Sequence, residues 1–204
     1  MVTYKLHIIR HGLCSGNIEG RYVGRLDLPL CSEGIQDLEE LRRENEYPKV
    51  ECVYTSPLRR ARQTADILFP DTGMILVDDM NELSLGEFEG RDFSSLKNDP
   101  SYLKWLQNSK EYTPKGALET SEEFAARVAV GFNSIIMNMG TQNIREAALV
   151  THGGVIMNIM NRFCLTQRPI GEWSLEAGHG YTIRTSAQMW MRDETFEIIG
   201  QLPY

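Results

Sequence analysis

The sequence feature that most constrains the fold is a short apolar run near the start of the chain that ends in arginine, histidine and glycine. Leu6, Ile8 and Ile9 form a pattern typical of a strand buried in a sheet, and the glycine after the histidine is a natural exit into a loop. Arg10 and His11 therefore lie at the carboxyl end of the strand. In open α/β sheets ligands bind at that edge, so the sequence predicts a site there.

The same ending occurs again late in the chain. Residues 147–150 predict another buried strand, and Thr151-His152-Gly153-Gly154 follows it. The chain therefore has two His-Gly pairs, each at the end of a predicted strand.

Strand-like and helix-like segments alternate along the chain. Further strand patterns cover residues 50–54, 74–77, 180–185 and 195–199, and helical patterns begin at Ser32, after Ser56-Pro57, at Ser121 and at Val155. This alternation predicts an α/β fold, a three-layer sandwich with a mainly parallel central sheet. We expect one domain over residues 1–204, with a small helical, lid-like insertion at about 91–120 and a terminal hairpin around 187–193.

A helix start after the second predicted strand adds basic residues to this picture. Ser56 is predicted to be the N-cap and Pro57 a first-turn residue, which puts Arg60 near the positive end of the helix dipole. With Arg10 and Arg21, it would form a local site for an anionic ligand.

Composition and charge exclude several classes of protein. The net charge of −7 argues against nucleic acid as a partner. No run of 18 apolar residues is present and the N-terminus leads straight into the first strand, so we expect neither a membrane span nor a signal peptide, and a cytoplasmic protein. The four cysteines lack CxxC spacing and are expected to be reduced thiols. A homodimer is compatible with the sequence.

Several motifs together resemble the histidine phosphatase superfamily, in the branch (branch 1) that contains cofactor-dependent phosphoglycerate mutases. In order along the chain they are Arg10-His11-Gly12 with Asn17, Gly24-x-x-Asp27-x-Pro29-Leu30, Ser56-x-Leu58-x-Arg60-Ala61-x-x-Thr64-Ala65, Gly86-x-x-Glu89-Gly90 and Thr151-His152-Gly153. The match covers roughly residues 4 to 155. A set of motifs in the right order is far more specific than any one of them.

The resemblance implies a role for each matching residue. His11 would be the nucleophile that takes the phosphoryl group, and Glu82 would be the proton donor. The groups that would bind the phosphate oxygens or complete the pocket are Arg10, Arg60, His152, Asn17, Gly24 and the backbone N–H of Gly153. Arg21 would either bind phosphate or pair with Asp27. Glu119-Thr120 resembles the family's Gly-Glu-Ser element, with Leu118 in place of the glycine.

These residue types suit phosphoryl transfer without a metal or cofactor. Negative charge spreads over the oxygens of the transferring group, and guanidinium groups can stabilise it. A neutral imidazole is a competent nucleophile when an acceptor fixes its tautomer. An alkoxide leaves poorly, so a protonated carboxyl must meet it. The neighbouring carboxylates of Asp78, Asp79 and Glu87 would favour the protonated form of Glu82.

Two other kinds of site fit the sequence less well. Cys14 followed by Arg21 is similar to a cysteine phosphatase loop, but six residues intervene where that signature has five. A metal site of His7 and His179 with the two strand-end histidines lacks any HxxxH or carboxylate-histidine pattern.

The resemblance implies a phosphatase acting on a small phosphorylated metabolite, such as a sugar phosphate, phosphoglycerate or ribazole phosphate. The alternative within the family is a cofactor-dependent phosphoglycerate mutase, although the chain has little room for the insertions of those enzymes. Leu13 and Cys14 stand where the family usually has a polar or acidic pair, so substrate contacts there must differ. The alternative from another class is a catalytically weak phosphate-binding or protein-interaction module.

Overall fold

Strand β1, which carries the first His-Gly ending, lies inside a six-stranded sheet in the computed structural model, which describes residues 2–204. The strands are β1 (Thr3–Arg10), β2 (Cys52–Thr55), β3 (Met74–Leu76), β4 (Glu146–Thr151), β5 (Gly180–Ser186) and β6 (Glu197–Leu202), in the order β3-β2-β4-β1-β5-β6. All pairs from β3 to β1 are parallel, while β5 is antiparallel to both β1 and β6. The predicted mainly parallel sheet is confirmed.

Helices connect the strands and cover both faces of the sheet. Along residues 2–204 they are α1 (Ser15–Ile18), α2 (Ser32–Glu44), α3 (Arg59–Leu68), α4 (Phe93–Leu96), α5 (Pro100–Gln107), α6 (Ser121–Thr141), α7 (Gly153–Phe163) and α8 (Ala187–Asp193). Short 3-10 turns cover Asp78–Met80, Gly86–Phe88 and Ile170–Trp173. Among the described helices, none combines the length and the apolar character needed to span a bilayer.

Two hydrophobic clusters on opposite faces of the sheet make the three layers. Leu6 and Ile8 of β1 belong to the cluster under α6, α7 and α8, whereas Ile9 belongs to the cluster under α2 and α3. Successive side chains of a strand point to opposite faces. An apolar run without alternation is therefore what a strand covered on both sides requires.

A third, smaller cluster holds the segment expected to be an insertion. Phe88, Leu96 and Tyr102 are buried in it, with Trp105 at its edge. Tyr22, from the loop that follows His11, packs against the rings of Tyr102 and Trp105 with centroid separations of 5.6 and 6.1 Å. Helices α4 and α5 are thus packed on the loop that leaves the first His-Gly pair.

Two local predictions were wrong. The last two strands pair as expected, but α8 replaces the predicted hairpin, because Ser186 caps that helix by accepting from the Met189 N–H and Trp190 buries its ring in the core. Helix α3 begins at Arg59 with Leu58 as its N-cap, so Ser56 is not the cap residue. Arg60 still lies in the first turn of that helix.

The face of α6 that meets the core should contribute much of the stability. Phe132 is fully buried and contacts the rings of Phe163, Trp190 and Phe196 at centroid distances of 5.3 to 5.9 Å. Phe132→Ala should lower the free energy of unfolding by about 3–5 kcal/mol, through lost burial and the cavity it leaves. Val130→Ala, on the same helix but with 65% of the residue exposed, should change it by less than about 0.5 kcal/mol. Urea unfolding of both variants measures the difference; equal effects would contradict the packing described.

Candidate active site

The pairing of β1 with β4 brings the two His-Gly endings together. Arg10 is the register partner of Thr151, and the N–H of His11 donates to the carbonyl of Thr151 at 2.9 Å. The rings of His11 and His152 consequently meet edge to face, with their centroids 5.0 Å apart. Both residues are buried, with 5% and 0% of their surface exposed.

The hydrogen bonds of His11 fix its tautomer. Nδ1 lies 2.6 Å from the carbonyl oxygen of Gly12, which can only accept, so this nitrogen carries the hydrogen of the neutral ring. Nε2 accepts from the Nε–H of Arg60 at 3.2 Å. The Nε2 lone pair of His11 is therefore directed toward the guanidinium group of Arg60, on α3.

Arg60 is almost completely buried, and backbone carbonyls hold it. Its terminal nitrogens donate to the carbonyls of Leu26 at 2.7 Å and Gly24 at 2.9 Å. Gly24 has φ of +52°, and a Cβ there would overlap the carboxylate of Glu89, so only glycine fits this turn. In this structure the part of Gly24 that contributes to the site is its carbonyl, which orients Arg60.

His152 is linked to the second strand end through Ser56. Its Nε2 lies 2.8 Å from Ser56 Oγ, which in turn donates to the side-chain carbonyl of Asn81 at 3.0 Å. The Nδ1 of His152 and the Nε of Arg10 are buried and have no hydrogen-bond partner among residues 2–204. Arg10 is held through another nitrogen, which donates to the carbonyl of Leu175. Unsatisfied buried polar atoms are costly, and two of them at the paired ends of β1 and β4 point to a ligand that would satisfy them.

Glu82 lies in the loop that follows β3, and its carboxylate contacts the first turn of α7, which begins after His152. One carboxylate oxygen accepts from the N–H of Gly154 at 3.0 Å and the other from the N–H of Leu83 at 2.9 Å. A Cβ at position 154 would overlap the carboxylate of Glu82. The second glycine of His152-Gly153-Gly154 therefore lets the carboxylate approach the helix closely, a requirement that the sequence analysis missed.

Burial and nearby cations keep both histidines neutral. Desolvation, followed by the charge of Arg60, lowers the pKa of His11 to about 3. Desolvation lowers the pKa of His152 as well, and the charges of Arg60 and Arg10 act in the same direction.

The remaining predicted residues differ in what they contact. Asn17 uses its side-chain carbonyl to accept from the N–H and the thiol of Cys14, both at 3.1 Å. A Cβ at Gly153 would have Arg10 Nε as its nearest neighbour, 3.9 Å away. Arg21 is exposed and donates to Glu19 and to the carbonyl of Gly90. The alternative pairing of Arg21 with Asp27 is not observed.

Two basic side chains near Glu82 escaped the sequence analysis. Arg25 donates to the carbonyl of Glu82 at 2.6 Å, and both Arg25 and Arg127 donate to the carboxylate of Glu119. The position of Arg25 beside Gly24 was the only available signal, because the partners of an arginine cannot be deduced from its neighbours in sequence.

The histidines of the metal hypothesis have other partners. His7 lies 3.0 Å from both Thr182 Oγ1 and Glu146 Oε1, and His179 bonds the carbonyl of Ala177. Within the described part of the chain no three His, Cys, Asp or Glu side chains are grouped closely enough to hold a metal ion. The cysteine phosphatase hypothesis is not supported either, because Arg21 binds Glu19 and the carbonyl of Gly90, while the thiol of Cys14 donates to Asn17.

The neutrality of the two histidines is directly measurable. Because their pKa values are lowered, NMR titration of the ring nitrogens should show both rings uncharged as the pH falls through the ordinary histidine value of about 6.5, with His11 titrating near 3. The stabilisation from these neutral rings is complete above about pH 6.5 and declines as the pH falls below it, since the unfolded chain then takes up protons first. A His11 titration near pH 6.5 would contradict the burial described.

Comparisons with known proteins show which family the chain belongs to. The profile of the histidine phosphatase superfamily (branch 1) matches residues 6–191. The chain is 33% identical over 160 residues to a Hydrogenobacter thermophilus protein named "Putative phosphoserine phosphatase 2", covering 76% of each chain. It is 26% identical to adenosylcobalamin/alpha-ribazole phosphatase of Salmonella typhimurium, covering 86% of this chain and 87% of the relative. The fold matches the crystal structure of phosphoglycerate mutase from Bacillus anthracis with a TM-score of 0.78 at 19% identity, covering 98% of this chain and 92% of that one. The chain belongs to the histidine phosphatase superfamily, branch 1.

Proposed function

We propose that this protein is a metal-independent phosphatase that hydrolyses a small phosphomonoester through a phosphohistidine on His11. The observation that carries the proposal is the neutral His11 ring, whose Nδ1–H donates to the carbonyl of Gly12 and whose unprotonated Nε2 accepts from Arg60, a contact that a phosphoryl group bound by Arg60 would replace. A nucleophile needs such a lone pair, and the low pKa makes it available at neutral pH.

The surrounding cations support binding of a phosphoryl group. Arg10 and Arg60 each supply a guanidinium whose charge reaches His11. The unpartnered Nε of Arg10 and Nδ1 of His152 would bond phosphate oxygens, once the dianion makes protonation of His152 favourable. Preorganised donors of this kind stabilise the charge that develops on the equatorial oxygens.

The reaction would run in two steps. Nε2 of His11 attacks phosphorus as the bond to the leaving oxygen breaks, and protonated Glu82 gives its proton to that oxygen. Water then attacks the phosphohistidine while the Glu82 carboxylate takes its proton, the P–N bond breaks, and inorganic phosphate and neutral His11 are released. The bond from the N–H of Gly154, two residues after His152, holds the Glu82 carboxylate on the His152 side of the site, which supports its role as acid and base.

The names of two relatives support the proposed substrate class. One is named "Putative phosphoserine phosphatase 2" and the other is an adenosylcobalamin/alpha-ribazole phosphatase. We propose a small phosphorylated metabolite as the substrate of this chain, with ribazole phosphate, sugar phosphates and phosphoglycerate as candidates. The likeness to phosphoglycerate mutase makes mutase activity the second candidate. An assay of phosphoglycerate isomerisation with and without the bisphosphate primer separates the two.

Turnover of p-nitrophenyl phosphate in the presence of EDTA tests the metal-free phosphatase. The protein should release nitrophenolate at the same rate with and without the chelator. His11→Ala should lower kcat by at least about a thousandfold, as expected when a nucleophile is removed, whereas His179→Ala should stay within about twofold. Loss of turnover on adding EDTA, or substantial activity of folded His11→Ala, would reject the mechanism. No turnover by the native protein would favour a binding module.

The acid role of Glu82 predicts a dependence on the leaving group. Glu82→Gln still accepts from the N–H of Gly154 but has no proton to give, so kcat on an alkyl phosphate should fall by about 10²–10⁴. Nitrophenolate leaves without protonation, so its burst release in the first turnover should change far less, whereas steady-state hydrolysis of either substrate also needs Glu82 as the base for water. Glu87→Gln is the matched control, since this exposed carboxylate of the same loop bonds the N–H of Lys115. Equal losses of the first-turnover rate on both substrates would reject Glu82 as the acid.

A further inference from the structure

Arg25 occupies a position between the two functional halves of the site. Its side chain donates through Nε to the backbone carbonyl of Glu82 at 2.6 Å, and through a terminal nitrogen to Glu119 Oε1 at 3.1 Å. Its backbone N–H donates to Glu89 Oε1 at 2.9 Å, and that oxygen also accepts from the N–H of Leu85. Only 23% of the Arg25 side chain is exposed, so these contacts are well shielded from water.

The same three-residue segment holds the phosphate side of the site. The carbonyls on either side of Arg25, those of Gly24 and Leu26, accept from the two terminal nitrogens of Arg60. Arg60 in turn donates to Nε2 of His11. Residues 24–26 therefore contact Arg60 through their backbone and the loop of Glu82 through a side chain.

A second arginine strengthens the contact with the Glu82 loop. Arg127 donates to both oxygens of Glu119, at 2.8 and 2.6 Å, and to the carbonyls of Asp79 and Asn81 at 2.7 and 3.1 Å. Burial by itself raises the pKa of Glu119, but the guanidinium groups of Arg127 and Arg25 outweigh it and lower that pKa. Glu119 is thus ionised between the two arginines. Together the arginines bind the carbonyls of Asp79, Asn81 and Glu82, in a segment that lies outside the strands of the sheet.

The two arginines do more than pair with a carboxylate, because they also donate to three backbone carbonyls of one short loop. Surface ion pairs contribute little to stability, whereas guanidinium groups that bind carbonyls define the position of a backbone. The only carboxylate that this loop presents beside the N–H of Gly154 is that of Glu82.

We propose that Arg25 is a positioning residue that sets the distance between Glu82 and His11, by binding the Glu82 carbonyl while its flanking carbonyls hold Arg60. This inference rests on the proposed phosphatase mechanism, in which Glu82 protonates the leaving group. Loss of Arg25 should move the acid and leave the nucleophile and the phosphate-binding groups nearly intact.

The effect on two substrates distinguishes this role from general support of the fold. Arg25→Met keeps an unbranched apolar stem but removes the donors. We expect the first-turnover rate on an alkyl phosphate to fall by about ten- to a hundredfold, the cost of misplacing a catalytic group by about an ångström. The burst rate on p-nitrophenyl phosphate should stay within about threefold, because nitrophenolate leaves without protonation, and KM should change little for either substrate. Arg25→Lys, which keeps the charge but replaces the guanidinium fork by a single nitrogen, should be intermediate.

A double variant tests whether Arg25 acts through Glu82. Residues that act through one group are non-additive, so Arg25→Met in the Glu82→Gln background should cost no more than about a further twofold on the alkyl phosphate. The NMR signal of the Gly154 amide, which bonds the Glu82 carboxylate, should move in Arg25→Met whether or not the enzyme is active. Arg43→Met, an exposed arginine of α2 that pairs with Glu40 and Glu44, is the matched control and should change neither.

Equal losses of Arg25→Met in the first turnover of both substrates, full additivity in the double variant, or an unchanged Gly154 signal would overturn the positioning role. If Arg25→Met does not fold by circular dichroism, Arg25→Lys and Glu119→Gln carry the same comparison. Failure of the proposed function is a separate outcome, because the native protein would then turn over neither substrate while the Gly154 signal would still report on Glu82.

Discussion

The parallel pairing of β1 with β4 is the interaction on which the site depends. It sets Arg10 opposite Thr151, so the next residue of each strand is a histidine and the two rings meet 5.0 Å apart. A shift of one residue would turn every side chain of β1 to the other face of the sheet. Leu6 and Ile8 would then leave their cluster, so the packing that stabilises the fold also fixes the register of the site.

The arginines around the candidate site share a mode of binding that explains how an acidic protein keeps positive charge there. Arg10, Arg25, Arg60 and Arg127 all donate to backbone carbonyls. A carbonyl satisfies the N–H groups of a buried guanidinium without cancelling its charge, whereas a carboxylate would cancel it. The positive charge of Arg60 therefore remains available beside His11 and contributes to the low pKa of that histidine. Glu119 is the exception, since it is shared by two arginines and leaves a net positive cluster.

Sequence reasoning succeeded where a pattern has one physical meaning. A doubly buried strand must be a continuous apolar run, and the helix predicted to begin at Ser121 does begin there. Its capping box, Thr120 with Glu123, was not part of the prediction. The prediction for Ser56 was wrong because a serine before proline can cap a helix or bind something else. Its hydroxyl bonds His152 and Asn81, residues far away in sequence. The hairpin prediction was wrong because the burial of Trp190 against α6 and α7 stabilises a helix between the strands.

The sequence by itself determined the α/β class, the buried strands and the residue types at their ends, because periodicity and strand-end position are local properties. It also determined the family, through motifs in a fixed order. Only the tertiary structure decided which groups meet: the tautomer of His11, the two unpartnered nitrogens of Arg10 and His152, the turn of Arg21 toward Glu19, and the placement of Arg25 against the Glu82 loop. The contact of Arg25 joins segments 57 residues apart. Even the short-range partners Gly12 and Glu19 depend on how the loop folds, because a hydrogen-bond partner is chosen by distance in space rather than along the chain.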